Sequence, residues 1–421
     1  MIKPSFFQDH SQNFWQLASI QAASVGFSGL VLGGQLASKF GSPTALLSII
    51  FGNLILWVIG MGMISMSSSQ KNPVFENVTQ YLGKKAATIS SIILITAFII
   101  WFVVQIELST LTINKILQHQ PISKKLVLIT GTGTGLLISL LSMGGIRFIK
   151  WICTIGFILL IGYVIYIFAY LEHTIIFNGG WELSINAISS TIAASLVGMI
   201  NLPTFFKHSR SKSDSYIGLT LMTIFTTLLQ SSSIILRFDV LNPRLISFIK
   251  TDFNYYFTIL FAVTSLICIN IVNIYFASAG VKLFISRLSK RFQNQINEYL
   301  IIGLAGTILF ALVQVSSPMI LLVNLAADFL ANLGIVLTIA FLTSITMKHR
   351  KIKFGKFVNS TSWFIGCTAS LIAQIRHPED LSVAFMWGIS CSLLAFLMAA
   401  FIAETTWSIK AIQSKNAGKR A

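Results

Sequence analysis

The chain has 421 residues, of which 54% are hydrophobic and 10% charged. That composition excludes a water-soluble domain of this length, whose surface would need far more charge. The net charge of +17 falls in the connections between apolar runs, where it reports membrane orientation and not nucleic-acid binding.

Residues 1–13 are polar and mixed in charge, and no cleavable signal precedes the first apolar run, which is too long to be a signal core. A membrane crossing needs about 20 apolar residues, because the hydrocarbon core is roughly 30 Å thick. Twelve segments meet that length, at 14–39, 44–66, 86–114, 125–145, 150–171, 186–206, 216–237, 253–280, 298–317, 319–346, 358–378 and 383–407. Water cannot satisfy backbone groups there, so each is predicted as a helix of one bundle. The expected fold class is an all-α polytopic membrane protein of about twelve transmembrane helices.

The first segment carries Gly26, Gly29 and Gly33-Gly34, a cluster that weakens a helix in mid-span. Asn53 in the second reads as packing between helices. The third holds Trp101 and Gln105 one turn apart, an indole that can stack on a flat ring and a carboxamide that can bond its edge. Core packing with an interhelical hydrogen bond is the other reading of that pair. Glu107 points to a different face, as a buried acid or toward the outer interface. The sixth segment has Gly198, Asn201 and Pro203 within six residues, and Pro203 lacks a backbone donor. Interruptions in the first and sixth spans, five helices apart, point to a transporter of two inverted repeats with its site at the midplane; glycine placed for close packing is the other reading of each break alone.

In the eighth segment Asn270 and Asn273 lie near Ser265 and Ser278, suited to a cation, a ligand or interhelical bonding. The stretch 281–297 is amphipathic and reads as an interfacial extension of that helix, with a phospholipid-specific site as the weaker alternative. In the tenth, Asp328 has Asn324 and Asn332 one turn to either side. An intramembrane carboxylate is a proton-coupling candidate, or else an acid held neutral by its surroundings. The basic run Lys348 to Lys356 reads as a cytoplasmic loop. Cys153, Cys268, Cys367 and Cys391 lie in apolar segments without metal-ligand spacing and read as packing residues. The six histidines lie near loops, and none pairs with a cysteine or carboxylate at ligand spacing. Neither an enzyme nor a resident cofactor is expected.

With the N-terminus cytoplasmic, 22 of the 30 basic residues fall on the inner side, which predicts cytoplasmic termini. The glycosylation patterns at Asn77 and Asn359 then fall on that side as chance matches. The connections are too short for a separate domain. The expected organisation is one transporter domain over 1–407, with repeat one at about 14–171, repeat two at about 186–346, extra helices at about 358–407 and a cytoplasmic tail at 408–421. With no nucleotide-binding module, transport would run on an ion gradient, and the compact tails suit a bacterial inner membrane.

Several stretches resemble the nucleobase–cation symporters, most of all the cytosine and purine permeases. Leu32-Gly33-Gly34-Gln35-Leu36 and Ile50-Phe51-Gly52-Asn53-Leu54-Ile55-Leu56 are similar to paired glycine and asparagine segments of that family. Trp101 and Gln105 resemble its substrate-sandwiching tryptophan and hydrogen-bonding glutamine. Tyr275-Phe276-Ala277-Ser278-Ala279-Gly280 resembles the run that follows its eighth-helix site. The resemblance implies two inverted five-helix repeats plus two C-terminal helices, the amino acid–polyamine–organocation type of fold. It implies substrate between broken helices 1 and 6 and helices 3 and 8, at Trp101, Gln105, Gly29, Asn201 and Asn273. It implies sodium near Gly26, Gly29, Ile269 and Asn270. The chain departs from the family pattern at Thr204-Phe205-Phe206-Lys207, where an Asp-Phe-x-Arg motif is usual. It departs again at Ile269-Asn270, where paired hydroxyls stand in sodium users, and in lacking an acid late in the tenth helix. The expected function is import of a nucleobase or similar heterocycle by cation-coupled alternating access, driven by sodium or by a proton at Asp328. An amino-acid or amine transporter of the same fold and a non-transporting membrane receptor are the alternatives. The expected partners are a small-molecule substrate and membrane lipids.

Overall fold

In the computed structural model, residues 12–70, 72–118, 123–170, 180–235, 252–288, 297–313, 317–346, 355–378 and 381–417 are described. They are almost entirely helical. Part of the amphipathic stretch (289–296) and most of the basic run (347–354) lie outside them.

Helix α1 (Phe14–Phe40) starts at a reciprocal cap, in which Asn13 Oδ1 accepts from the Gln16 amide at 2.9 Å. Gln16 Oε1 accepts from the Asn13 amide at 3.3 Å. The expected interruption sits at Gly26, whose backbone is non-helical. The halves Phe14–Gly26 and Ser28–Phe40 meet at 53°. Gly33-Gly34 remains helical, and packing gives Gly33 another role. A Cβ on Gly33 would lie 2.1 Å from the Gln230 carbonyl oxygen, so glycine there permits close approach of a neighbouring helix. Gly41, at φ 84°, turns the chain into α2 (Ser42–Gln70).

A short helix, α3 (Val74–Tyr81), occupies what the sequence predicts as a loop. It buries Val74, Phe75 and Val78 and packs on α4 (Lys84–Gln118). Helices α5 (Lys124–Ser142) and α6 (Gly145–Tyr170) complete the first half. The sixth segment breaks at Asn201, between α7 (Ile185–Ile200) and the five-residue α8 (Leu202–Phe206). Pro203, with no amide hydrogen to give, stands at the start of α8. Then come α9 (Lys212–Ile235), α10 (Asp252–Leu288), α11 (Glu298–Leu312), α12 (Ser317–Thr346), α13 (Lys356–Arg376) and α14 (Leu381–Ala417). Helix α14 carries most of the expected tail as helix.

In every predicted segment most of the described residues are helical. Among the described residues nine helices are long and apolar enough to cross a membrane, and the bent α1 makes ten. Helix α11 has only 15 residues, and α13 interrupts its apolar face with Asn359, Ser362, Ser370 and Gln374, all buried.

The interior is built on α1, α2, α4, α7 and α10, with α9 lying along α1. Phe205 of α8 stacks on Tyr275 of α10 at 4.6 Å between ring centroids and meets Phe276 edge-on at 4.9 Å. Phe276 in turn stacks on Phe98 of α4 at 5.0 Å. This aromatic run fixes the broken helix against α4 and α10. Large apolar side chains such as Ile165, Leu397 and Phe401 stand more than half exposed on the outer faces, an arrangement that suits hydrocarbon surroundings.

Candidate substrate cavity

A cavity of about 510 Å³ opens where α1 bends and α7 ends, within the range of roughly 300–1,000 Å³ typical of small-molecule sites. Helix α1 contributes Gln21, Gly29 and Gln35, α2 contributes Asn53, and α4 contributes Phe98, Trp101 and Gln105. Gly198 and Leu202 flank the α7–α8 break, Gln230 comes from α9, and Ile269, Asn273 and Phe276 come from α10.

Two properties of this lining bear on chemistry. Six side-chain carboxamides face one space, those of Gln21, Gln35, Asn53, Gln105, Gln230 and Asn273, and no described lining residue is ionisable. Asn53 Nδ2 donates to Gln230 Oε1 at 2.7 Å, tying α2 to α9 across the cavity wall. Gln21 Nε2, Gln230 Nε2 and Asn273 Nδ2 are buried with no hydrogen-bond partner. Such donors are unfavourable unless a ligand or water meets them. The arrangement can hold a neutral molecule that presents several acceptors, with Trp101 and Phe98 offering flat apolar faces.

The structure brings Trp101, Gln105, Gly29, Asn273 and Ile269 to this one cavity. Asn201 is fully buried and absent from the lining, and its Oδ1 accepts from the Thr204 hydroxyl at 2.8 Å. It therefore stitches the helix break, and the neighbours Gly198, Met199 and Leu202 reach the cavity in its place. Gly26 lies against α10, where a Cβ would be 2.0 Å from Ser265 Oγ. Asn270 is fully buried, and its Nδ2 donates back to the Leu266 carbonyl at 3.0 Å. Its Oδ1 has no partner, leaving one buried oxygen of α10 available. Glu107 is not in the lining.

Asp328 sits apart, on α12 beneath α13. It is 4% exposed, and its Oδ2 finds no hydrogen-bond partner. Near it Asn332 Nδ2 donates to Ser370 Oγ at 3.1 Å, and the Trp363 indole donates to the Phe329 carbonyl at 2.9 Å. Cys153, Cys268 and Cys367 are buried and unpaired, Cys391 is half-buried and unpaired, and among the described residues no group of three His, Cys, Asp or Glu could hold a metal.

Sequence reasoning missed Gln21 and Gln230 and read Asn53 as packing. None of the three has a second amide or an ionisable side chain one turn away, so its role emerges only when α1, α2 and α9 converge.

The sequence matches no family model and no curated protein. Solved structures do match. The nucleobase-cation-symport-1 family transporter Mhp1, in a closed conformation with bromovinylhydantoin bound, is 15% identical over 94% of each chain, with a TM-score of 0.68. A sodium-coupled sialic acid symporter in a substrate-bound outward-open state is 14% identical over 93% of this chain and 90% of its own, at 0.65. A manganese transporter of Eremococcus coleocola is 13% identical over 96% of this chain and 95% of its own, at 0.56. The apolar helices and this likeness together make the chain an integral, multi-pass membrane protein with the fold of the transporter Mhp1.

Proposed function

We propose that the chain is a secondary active transporter of the nucleobase–cation symporter kind, carrying a neutral planar heterocycle such as a nucleobase by alternating access. The observation that carries this reading is the cavity of six carboxamides and one indole without an ionisable lining residue. A nucleobase presents carbonyl and ring-nitrogen acceptors beside N–H donors on one flat edge, which amides match in both senses. A carboxylate sugar or a divalent metal would leave a charge without a counter-charge in the described lining, at large desolvation penalty. Trp101 stacks the ring, and Gln105 and Asn273 read its edge. The broken helices α1 and α7–α8 offer free backbone groups near Gly29 and Gly198.

The bend of α1 against α10 is the proposed cation position. Asn270 Oδ1, buried without a partner, supports it, with backbone at Gly26, Gly29 and Ile269 supplying further oxygen. Hard cations need several such ligands. Asp328 is the proposed proton carrier should sodium prove silent, since an unpaired carboxyl in the bundle can be emptied and refilled. The excess of basic residues on one side supports cytoplasmic termini, and a bacterial inner membrane is the proposed location. The two repeats would each open with a broken helix.

Uptake of a labelled nucleobase panel into proteoliposomes, under sodium and proton gradients imposed separately, tests the reading. Gln105→Ala should abolish uptake of whichever base is carried. Asp328→Asn should abolish pH-driven uptake and leave binding measurable. Uptake of amino acids in place of bases would assign the cavity to a different cargo, and binding without accumulation would make the protein a receptor.

A further inference from the structure

A second cavity, of about 450 Å³, lies at the end of the bundle where α1 begins and α5 turns into α6. Its lining is unlike that of the first. Arg147 and Lys150, three residues apart on α6, face it from the same side of the helix. Trp151, 61% exposed, and Thr154 continue that wall, and Gln12 and Gln16 close it from the start of α1. Among the described residues no acid pairs with Arg147 or Lys150. Asp214, whose carboxylate meets the start of α1, is occupied. It accepts from the Phe14 amide at 3.1 Å and from the Ser211 hydroxyl at 2.6 Å.

Gln12 supplies the second, independent sign of a ligand. Its backbone is held in place, the amide donating to the His208 carbonyl at 2.8 Å and the carbonyl accepting from the Arg210 amide at 2.9 Å. Its side chain is fully buried, yet neither Oε1 nor Nε2 has a hydrogen-bond partner. A carboxamide buried in this way is unfavourable until something polar joins it. Two cations without an acidic partner among the described residues and an unpaired amide thus line one space, with the exposed indole of Trp151 beside them. Tryptophan favours the headgroup level of a bilayer, and basic clusters beside membrane helices favour anionic lipid.

We propose that this cavity binds the phosphate of an anionic glycerophospholipid, with Arg147 and Lys150 on the phosphate oxygens. Gln12 bonds the headgroup hydroxyl or an ester oxygen, and Trp151 lies along the glycerol and the start of the acyl chains. The same phosphate chemistry could be met by a soluble phosphate, but Trp151 and Ile146 give the site an apolar flank that only a lipid would use. Bound there, the lipid would join the first half of α1, which ends at the 53° bend, to α6. The inference stands independently of the cargo proposed for the central cavity.

The test is retention of phosphatidylglycerol by the purified full chain, counted by native mass spectrometry after release from neutral detergent. Phosphatidylcholine serves as the reference lipid. Arg147→Ala with Lys150→Ala should weaken retention roughly 25-fold, each basic side chain near a membrane surface contributing on the order of a factor of five. Lys85→Ala with Lys356→Ala, exposed basic residues elsewhere, should leave it unchanged. Arg147→Gln with Lys150→Gln keeps side-chain bulk and serves if the alanine pair does not fold. Equal retention by the glutamine pair and the wild type would overturn the proposal. Competition by inorganic phosphate or glycerol 3-phosphate as effective as the lipid would overturn the lipid assignment in favour of a soluble phosphate site. Trp151→Ala should weaken the lipid and leave those soluble competitors unaffected.

Discussion

Gly33→Ala tests the closeness of α1 and α9, on which one wall of the central cavity depends. The added methyl would lie 2.0 Å from Ser233 Oγ and 2.1 Å from the Gln230 carbonyl oxygen. Ordinary contact begins near 3.4 Å, so that carbonyl must retreat by about 1.3 Å. A serine hydroxyl can rotate away, but a helix carbonyl cannot move without its helix. Forcing a methyl into a packed interface costs roughly 1–3 kcal/mol. Displacing Gln230 also strains its 2.7 Å bond to Asn53, and an orphaned buried amide adds about 1–3 kcal/mol. The expected result is a clearly lowered thermal unfolding midpoint together with weakened uptake or ligand binding. Gly133→Ala on α5 is the matched control. Nothing lies within 4 Å of its added methyl, and it should gain up to about 1 kcal/mol of helix stability. Adding Ser233→Gly to Gly33→Ala removes the hydroxyl and leaves the carbonyl, so it should restore little. Equal midpoints for Gly33→Ala and Gly133→Ala, or full rescue by Ser233→Gly, would refute the close approach.

Replacing Gln230 by Leu should destabilise the protein by about 1–3 kcal/mol, because Asn53 Nδ2 loses its partner. In a double-mutant cycle with Asn53→Leu by chemical denaturation, the two losses should fail to add by at least about 0.5 kcal/mol. Trp363→Phe leaves a gap at a fully buried site and removes the hydrogen bond to the Phe329 carbonyl, and should lower stability by about 1–3 kcal/mol in the same assay. Lys207, just past the end of α8, is half-buried, and burial holds its ammonium below the ordinary lysine value, partly opposed by Glu76. The unfolded chain therefore binds the proton more readily, and stability should rise as pH climbs toward roughly 10.4. Lys207→Met should flatten that slope when unfolding is followed across alkaline pH.

Apolar length alone was enough to locate the helices, because a chain in hydrocarbon has few other choices of backbone. The breaks were legible to different degrees. Pro203 forces its own, since the missing amide hydrogen acts locally. In α1 several glycines could have given way. Both Gly33 and Gly26 lie where a Cβ would meet a neighbouring helix, yet only Gly26 leaves the helical conformation. Helix α3 escaped notice because eight residues with three buried apolar positions give too short a period to separate from a turn. At the cavity, the i, i+4 pair Trp101 and Gln105 could be singled out from one helix. Gln21, Asn53 and Gln230 could not, since their meeting is a property of three helices, one of which, α9, is distant in the chain from the other two. Asn201 shows the reverse, a residue well marked by its break whose side chain serves the break itself through Thr204.

The shortness of α11 has a consequence for the lipid around it. Fifteen residues at 1.5 Å per residue reach only about 23 Å, against a hydrocarbon core of roughly 30 Å. Tilting makes a short helix span less, so the mismatch must be absorbed by the bilayer or by polar atoms drawn inward. Ile301, Ile308 and Leu312 stand exposed on its outer side, which places that adjustment in the annular lipid. The membrane should be pinched beside α11, at fractions of a kcal/mol for each ångström, and a thinner bilayer would hold this flank of the protein with less elastic strain than a thicker one.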